Sequence, residues 1–172
     1  IDDIGPERIH PGDVYITNDP WKGTGHLHDI TVCTPVFRDV DGSDTLVGFF
    51  ASTAHVVDIG GRGYGPDAKE VYEEGINIPI MKWVDRGQLN RDLVGILKVN
   101  VRESDQVVGD IHGLAASNET GRRRLLHMLD EFGLDGLDGL ASFVFARTGA
   151  ATMRAITGVA NGVYTNEMVV DG

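Results

Sequence analysis

Two short segments of the sequence each place an aspartate three residues after a histidine. The first segment contains His26 and Asp29, and the second contains His55 and Asp58. Neutral imidazole nitrogens and carboxylate oxygens are common ligands of divalent transition metals such as Zn, Mn and Fe. A histidine in a polar loop can equally act as a hydrogen-bonding group without any metal. Either pair alone therefore leaves both interpretations open.

A predicted β-hairpin brings the two segments together. Residues 30–37 and 46–54 are rich in β-branched and aromatic residues, which favour strands. The intervening segment contains Asp41-Gly42, which is among the strongest sequence signals for a tight hairpin turn. The sequence therefore predicts two antiparallel strands whose open end carries Asp29 and His55.

The register of this hairpin decides which residues meet. If Phe37 faces Leu46, Asp29 lies opposite the residue before His55, and a shift of one residue places Asp29 directly opposite His55. Directly opposed Cβ atoms lie about 4.5–5.5 Å apart. His26 lies three residues upstream, where the chain enters the same end of the hairpin. We therefore predict one divalent metal site formed by His26, Asp29 and His55.

Two neighbouring residues have lesser roles in this hypothesis. Three protein ligands leave a coordination position for water or substrate, which is typical of catalytic rather than structural sites. His28 alternates in facing with Asp29 if the strand begins early, so it ranks below His26 as a ligand. Asp58 is a candidate acceptor for the N–H group of a ligand imidazole, outside the ligand set itself.

A glycine-rich segment follows the second histidine. Residues 58–66 contain four glycines, and they have neither the lysine of a Walker phosphate loop nor the Rossmann spacing. Glycines at this density permit backbone conformations that other residues avoid. We predict a tight turn or a mobile active-site loop here, with Gly60, Gly61 and Arg62 as candidate substrate contacts.

The spacing of apolar residues changes from strand-like to helical half-way along the chain. The first part, 10–88, is β-rich, with further strands predicted at 13–17 and 80–84. The second part, 89–160, is helical, and a final strand is predicted over 162–171. The predicted fold class is therefore α+β, with a β-rich N-terminal half that contains the hairpin, a helical second half and a final strand.

Three helices account for the helical periodicity of the second half. They are predicted over 90–101, 104–132 and 138–157. Asn90 and Ser104 are candidate N-terminal caps, and Gly133 is a candidate C-terminal cap. Gly121, inside the long helix, predicts a bend or a close crossing.

Composition limits the classes of protein to consider. The 172 residues suit a single domain, 1–172, and the absence of an initial Met makes a fragment of a longer chain the expectation. The net charge of −11 argues against a nucleic-acid partner. No apolar run approaches the ~20 residues of a membrane span, and the acidic start is unlike a signal peptide. The single cysteine, Cys33, excludes an intrachain disulfide and fits a cytoplasmic location.

Several motifs, taken in order, resemble the hydantoinase B family. They are Gly12-Asp13-Val14-Tyr15-Ile16-Thr17-Asn18-Asp19-Pro20, Gly23-Thr24-Gly25-His26-Leu27-His28-Asp29, Ala54-His55 with Asp58-Ile59-Gly60-Gly61, Glu73-Glu74-Gly75-Ile76 with Ile78-Pro79, and Asn100-Val101-Arg102 with Gly109-Asp110. The resemblance extends from about residue 12 to residue 172. Members of that family are longer than this chain, which supports the expectation of a fragment of a hydantoinase B-type subunit.

The resemblance implies a division of labour between two subunits. The family comprises the B-type subunits of ATP-dependent N-methylhydantoinases, 5-oxoprolinases, caprolactamase-like enzymes, and acetone and acetophenone carboxylases. These subunits hold Mn or Zn through a His-x-x-Asp pair and a later His, which match His26, Asp29 and His55. They act beside an A-type subunit that binds ATP with Mg. The chain is thus expected to be active only with that partner, on a small molecule, without nucleic acid or membrane.

Three functional hypotheses remain open at this point. The first is ATP-dependent ring opening of a cyclic amide such as a hydantoin or oxoproline. The second is ATP-dependent carboxylation of a ketone at much the same site. In both, a metal would act as a Lewis acid or lower the pKa of its bound water. The third is a non-catalytic fragment or interaction module.

Overall fold

The chain divides into two compact units, Ile1–Asp135 and Gly136–Gly172. A computed structural model describes residues 4–23, 25–63 and 65–170. A five-stranded antiparallel sheet occupies the N-terminal half, and helices occupy the second half. The α+β class predicted from the sequence is confirmed.

The sheet and the helices have the following bounds. The strands are β1 Val14–Thr17, β2 Asp29–Val40, β3 Ser43–His55, β4 Met81–Asp85 and β5 Gln88–Leu89, in the order β3-β2-β1-β4-β5. The helices are α1 Val71–Glu74, α2 Arg91–Asn100, α3 Ser104–Phe132 and α4 Asp138–Thr157. Both α1 and β5 are short elements that the sequence patterns did not predict.

The long β2–β3 hairpin closes through the predicted turn. Asp41 and Gly42 have φ angles of 53° and 80°. Two successive positive φ values match the right-handed twist of the strands on either side, so a two-residue turn can join β2 to β3. Each strand extends a few residues beyond its predicted ends, as far as the position of the candidate metal ligands.

Proline is tolerated within β2 because the neighbouring strand is short. A proline has no N–H group to donate, so it is normally confined to an edge strand or a strand end. Pro35 pairs with Phe49 of β3 on one side. On the other side, the pairing of β1 with β2 covers Thr31 to Cys33 and stops short of the proline. Pro35 thus lies at a local edge inside a long strand.

One face of the sheet packs against helix α3. Ile30, Val32 and Val36 of β2 are fully buried on this face. The buried Asn118 of α3 donates to the carbonyl oxygen of Val32 at 3.0 Å and accepts from the hydroxyl of Ser52 at 2.8 Å. The helix therefore fixes both strands of the hairpin, and the opposite sheet face is left for Asp29 and His55.

The helix ends agree with the predicted caps with one exception. The side chain of Asn90 accepts from the backbone N–H of Leu93 at 3.1 Å, and Gly133 closes α3 with a φ of 61°. Ser104 was predicted to cap α3, but it is the first helical residue. Glu103 takes the cap position without a side-chain hydrogen bond. The predicted close crossing at Gly121 is confirmed, since a Cβ there would lie 2.6 Å from the ring of Phe50.

The final strand predicted over 162–171 is wrong for the part that the structure describes. Residues 163–170 form neither helix nor strand, and all of them are exposed. Strand composition is not enough for a strand, because the backbone also needs a neighbouring strand with which to pair. Asp171 lies outside the described residues. Within the described ranges, no helix is long and apolar enough to cross a membrane.

Candidate metal centre

A tight turn places His26 beside Asp29. The backbone N–H of Asp29 donates to the carbonyl oxygen of His26 at 3.2 Å, which closes the turn just before β2. One residue beyond β3, the N–H of Val56 donates to the carbonyl oxygen of His28 at 2.8 Å. The turn and the end of β3 are therefore joined by a backbone hydrogen bond at the site itself.

Every candidate ligand adjoins a fully buried apolar residue. Leu27 follows His26, Ile30 follows Asp29 and Val56 follows His55, and the three apolar side chains are 0% exposed. All three belong to one hydrophobic core cluster. Because a buried neighbour fixes the backbone on each side of the site, the ligand side chains project from an anchored frame.

The register of the hairpin places the other two candidate ligands, Asp29 and His55, opposite each other. Asp29 pairs directly with His55 in the β2–β3 ladder. Of the two registers considered from the sequence, the shifted one applies at this end of the hairpin. Asp29 and His55 thus occupy opposed positions on the sheet face that α3 leaves open.

The three predicted ligand atoms converge. His26 Nε2 lies 3.0 Å from His55 Nδ1 and 3.2 Å from Asp29 Oδ1, and His55 Nδ1 lies 3.0 Å from Asp29 Oδ1. Ligand atoms that each bind one ion at about 2.0–2.2 Å lie roughly 3.0–3.5 Å from one another. Among the described residues, this trio is the group of His, Cys, Asp and Glu side chains with the spacing of a metal site. The side chains therefore fit the metal that the sequence motifs imply.

His28 lies behind the trio as a packing partner. Its ring stacks on the ring of His55, with centroids 5.3 Å apart and planes 11° from parallel. Burial lowers the pKa of His28, the nearby imidazoles of His55 and His26 lower it further, and the charges of Asp58 and Glu74 oppose the shift. The environment thus favours a neutral imidazole at this position.

Asp58 has a different partner from the one predicted. Its carboxylate accepts from the backbone N–H groups of Gly60 at 3.2 Å and Arg102 at 2.5 Å, and from the guanidinium of Arg102 at 2.6 Å. Burial raises the pKa of Asp58, but these hydrogen bonds outweigh it and hold the pKa below its usual range. Asp58 therefore fixes the loop after β3 to the segment between α2 and α3, and its hydrogen-bond partners are Gly60 and Arg102 rather than a candidate ligand imidazole.

Asn18 ties the histidine-bearing turn to the rest of the unit. Its amide nitrogen donates to the carbonyl oxygens of Leu27 at 2.7 Å and Ile76 at 2.8 Å, and its amide oxygen accepts from the N–H of Ile78 at 2.6 Å. Asn18 is 1% exposed. In the sequence, Asn18 was noted only as part of the first motif that resembles the hydantoinase B family. The clue that could have singled it out is a polar residue directly after a buried strand.

An open cavity of about 430 Å³ adjoins the centre. The described residues that line it are His26, His28, Gly63, Gly65, Pro66, Ala68 and Glu74. The predicted substrate contacts, Gly60, Gly61 and Arg62, lie just before this part of the loop. Gly60 packs closely on the backbone of Asn100, and Gly61 on that of Glu73 and Glu74, so these glycines are explained by close backbone approach.

The sequence model of one protein family covers the whole chain. The Hydantoinase B/oxoprolinase model matches residues 1–172. The chain belongs to the hydantoinase B/oxoprolinase family. This confirms the resemblance inferred from the motifs.

Individual members of the hydantoinase B/oxoprolinase family match only over part of their length. The chain is 33% identical over 170 residues to the B-type subunit of a putative D-/L-hydantoinase from Pseudomonas sp. strain NS671, a match that covers 96% of this chain and 28% of that protein. The chain thus spans about a quarter of such a relative.

Two solved structures share the fold of this family member. The crystal structure of the ATP-dependent caprolactamase from Pseudomonas jessenii matches with a TM-score of 0.74 and 33% identity, over 87% of this chain and 26% of that one. A nucleotide-free acetone carboxylase matches with a TM-score of 0.65 and 24% identity, over 77% of this chain and 17% of that one. The second likeness concerns the fold alone.

Proposed function

We propose that this chain is part of the metal-bearing B-type subunit of an ATP-dependent cyclic amide hydrolase that opens hydantoin- or oxoproline-like rings. The observation that carries the proposal is the convergence of His26 Nε2, Asp29 Oδ1 and His55 Nδ1 to within 3.0–3.2 Å beside an open cavity. Two neutral nitrogens and one carboxylate oxygen form a ligand set suited to Zn or Mn.

The residues around the cavity have separate tasks in this proposal. His26, Asp29 and His55 hold the ion, which supplies Lewis acidity toward a carbonyl oxygen and lowers the pKa of water bound to it. His28 packs against the ring of His55 and limits its rotation. Gly63, Gly65 and Ala68 contribute only small side chains or none to the cavity wall, so a five- to seven-membered ring has room beside the ligands.

ATP enters this proposal through a second, A-type subunit. A cyclic amide is stabilised by resonance, so ring opening by water alone is slow. Phosphorylation of the amide oxygen by ATP makes the amide carbon more electrophilic and supplies a leaving group. One relative is described as the B-type subunit of a hydantoinase and another as an ATP-dependent caprolactamase, which supports this division of labour. We place the complex in the cytoplasm, where the one cysteine, Cys33, stays a thiol.

Ketone carboxylation is the alternative function, because the same ligand set would serve it. A metal that polarises an amide carbonyl could equally stabilise the enolate oxygen of a ketone. The two functions differ in the second reactant, which is water in one case and bicarbonate-derived CO2 in the other.

The test uses the full-length protein together with its ATP-binding partner. Hydantoin, 5-oxoproline and caprolactam are compared with acetone and acetophenone, with and without bicarbonate, while ADP formation is followed. We expect ring opening that requires ATP, is lost after chelation and returns with Zn or Mn. Bicarbonate-dependent consumption of a ketone would support the alternative, and activity that survives complete metal removal would contradict the metal centre.

A further inference from the structure

Glu74 is a carboxylate in the wall of the cavity beside the candidate metal centre. It lines the cavity together with His26 and His28, and it is the acidic side chain among the described lining residues. Within the described ranges, its side chain makes no hydrogen bond and no ion pair. The adjacent Glu73 differs, because it bonds to the guanidinium of Arg62 at 3.1 Å and to the N–H of Lys69 at 2.9 Å.

The backbone beside Glu74 is fixed by two glycines. Gly61 has a φ of 58°, and a Cβ on it would overlap the carbonyl groups of Glu73 and Glu74. Gly75 has a φ of 139°, and a Cβ on it would overlap the carbonyl of Ile59. Both positions require glycine for conformation and for space. The glycine-rich loop after β3 and the segment that ends α1 can therefore pack backbone against backbone.

Hydrogen bonds lock this packing. The N–H of Arg62 donates to the carbonyl oxygen of Glu73 at 3.0 Å, and the N–H of Ile76 donates to that of Ile59 at 2.9 Å. The two bonds flank Glu74 on either side. A side chain held on such a backbone, yet left without a partner of its own, has the arrangement of a group kept available for a ligand or a reaction.

Glu74 shares its cavity with the histidines. It lines the same open cavity of about 430 Å³ as His26 and His28. The carboxylate therefore belongs to the space in which a substrate beside the candidate ligands would lie. A carboxylate within reach of a water and of a leaving nitrogen is suited to general acid–base catalysis.

We propose that Glu74 is the general base of the ring-opening reaction, an inference that rests on the proposed function. In an amide whose oxygen carries a phosphoryl group, the carbon and nitrogen are joined by a double bond. Glu74 takes a proton from water as the water oxygen bonds to the amide carbon. The electron pair of the double bond moves to the ring nitrogen, and Glu74 delivers the proton there.

The second proton follows the same route. The tetrahedral carbon now carries a hydroxyl group, the phosphoryl oxygen and a single bond to nitrogen. When that carbon–nitrogen bond breaks, its electron pair goes to nitrogen and the hydroxyl becomes the carbonyl of an acyl phosphate. Glu74 takes the hydroxyl proton and passes it to the departing amine. Glu74 thus accepts each proton and passes it on, so its carboxylate is ionised again at the end of these steps. A second water then attacks this carbonyl carbon, the carbon–oxygen bond to the phosphoryl group breaks, and phosphate leaves with that electron pair while the carboxylate product forms.

The experiment compares variants of the full-length protein in complex with its ATP-binding partner. Glu74→Gln removes the base but keeps the shape, Glu74→Ala opens space for a small acid, and Glu70→Gln is the matched control on the exposed residue before α1. Metal content, thermal unfolding, kcat and KM for ring opening are measured for each protein. Glu74→Ala is also assayed with added formate.

We expect Glu74→Gln to keep its metal and its KM while kcat falls by about 10²–10⁴-fold, the usual contribution of a general base. Formate should restore part of the kcat of Glu74→Ala and leave wild type unchanged. Glu70→Gln should match wild type throughout. Loss of metal in Glu74→Gln would make Glu74 a ligand and overturn the proposal, as would an unchanged kcat or a lack of response to formate.

Failure of the proposed function would look different. A metal-loaded wild-type complex that opens none of the rings would contradict the proposed function and the role of Glu74 together. An active wild type with an equally active Glu74→Gln variant would contradict the role of Glu74 alone.

Discussion

Asp29 faces His55 because β3 carries one extra residue. At the turn end of the hairpin, Phe37 pairs with Leu46, whereas the next pair is Val36 with Gly48. The irregularity between these pairs shifts the register by one residue along the rest of the ladder. With an uninterrupted ladder, Asp29 would face Ala54, and the imidazole would point to the other face of the sheet.

The three hydrogen bonds of Asn18 should be needed for metal binding. In Asn18→Asp the two carbonyl oxygens of Leu27 and Ile76 would meet a carboxylate instead of an amide donor. We expect the free energy of unfolding to fall by about 1–3 kcal/mol, since two buried acceptors lose their donor. Metal affinity should fall by about 10–100-fold, as for other residues that orient ligands. Metal titration of the full-length protein measures the second effect.

Asn77→Asp is the matched control for that experiment. Asn77 lies in the segment that Asn18 contacts, but its side chain is exposed. The same chemical change there should leave metal affinity and stability close to those of wild type. Equal metal affinity in Asn18→Asp and Asn77→Asp would show that the tie to Leu27 does not position His26.

Two glycines in α3 should respond in opposite ways to alanine. A Cβ at Gly121 would lie 2.6 Å from the ring of Phe50, so Gly121→Ala must push β3 and α3 apart. Overpacking of this kind costs about 1–3 kcal/mol. At Gly113 nothing lies within 4 Å of the added Cβ, and Gly113→Ala should stabilise the helix by about 0.5–1 kcal/mol. Urea unfolding of both variants should give shifts of opposite sign, and two shifts of the same sign would contradict the close packing at Phe50.

Asp58 should contribute to the free energy of unfolding at neutral pH and lose this contribution at low pH. Burial raises its pKa, but the hydrogen bonds from Arg102 and Gly60 outweigh this and hold the pKa below the unfolded value of about 3.9. A group with a depressed pKa stabilises the folded state above its unfolded pKa. That contribution disappears as the pH falls from about 4 through the folded pKa.

Asp58→Asn tests this linkage. At pH 7 we expect the free energy of unfolding to fall by about 1–2 kcal/mol, because the hydrogen bonds to the carboxylate are lost. The loss is no larger because the side chain of Arg102 is largely exposed, and solvent weakens its ion pair with Asp58. Below pH 4 the variant and wild type should converge. The side chain of Asp105 is 96% exposed, so Asp105→Asn is the control and should track wild type. A difference between Asp58→Asn and wild type that persists unchanged at pH 3 would contradict the assigned pKa direction.

Local sequence signals predicted the elements that carry the site. Asp41-Gly42 favours a two-residue turn through the local preference of its two residues for positive φ, and the strand composition on either side then predicts the hairpin. The irregularity beside Val36 depends on how the strands pack, so the sequence left two registers open. The candidate metal ligands could be singled out because His26, Asp29 and His55 all adjoin this one hairpin.

Features that depend on distant contacts could not be predicted. Asn18 bonds to groups up to 60 residues away, and the partner of Asp58 lies 44 residues along the chain. Glu74 was part of a motif, but only the fold brings it to the cavity of His26. The strand predicted over 162–171 failed for the same reason, because its composition suits a strand while its pairing partner cannot be read locally.

Metal analysis of the purified full-length complex tests the central claim most directly. Wild type is compared with His55→Ala, and His127→Ala is the control because its side chain is 81% exposed and it is not part of the ligand trio. Changes next to a metal ligand typically lower metal affinity by about 10–100-fold. We expect His55→Ala, which removes a ligand, to lower the affinity further. Its unfolding midpoint should stay close to that of wild type. His127→Ala should retain the metal of wild type. Equal amounts of Zn or Mn in wild type and His55→Ala would contradict a metal centre at His26, Asp29 and His55.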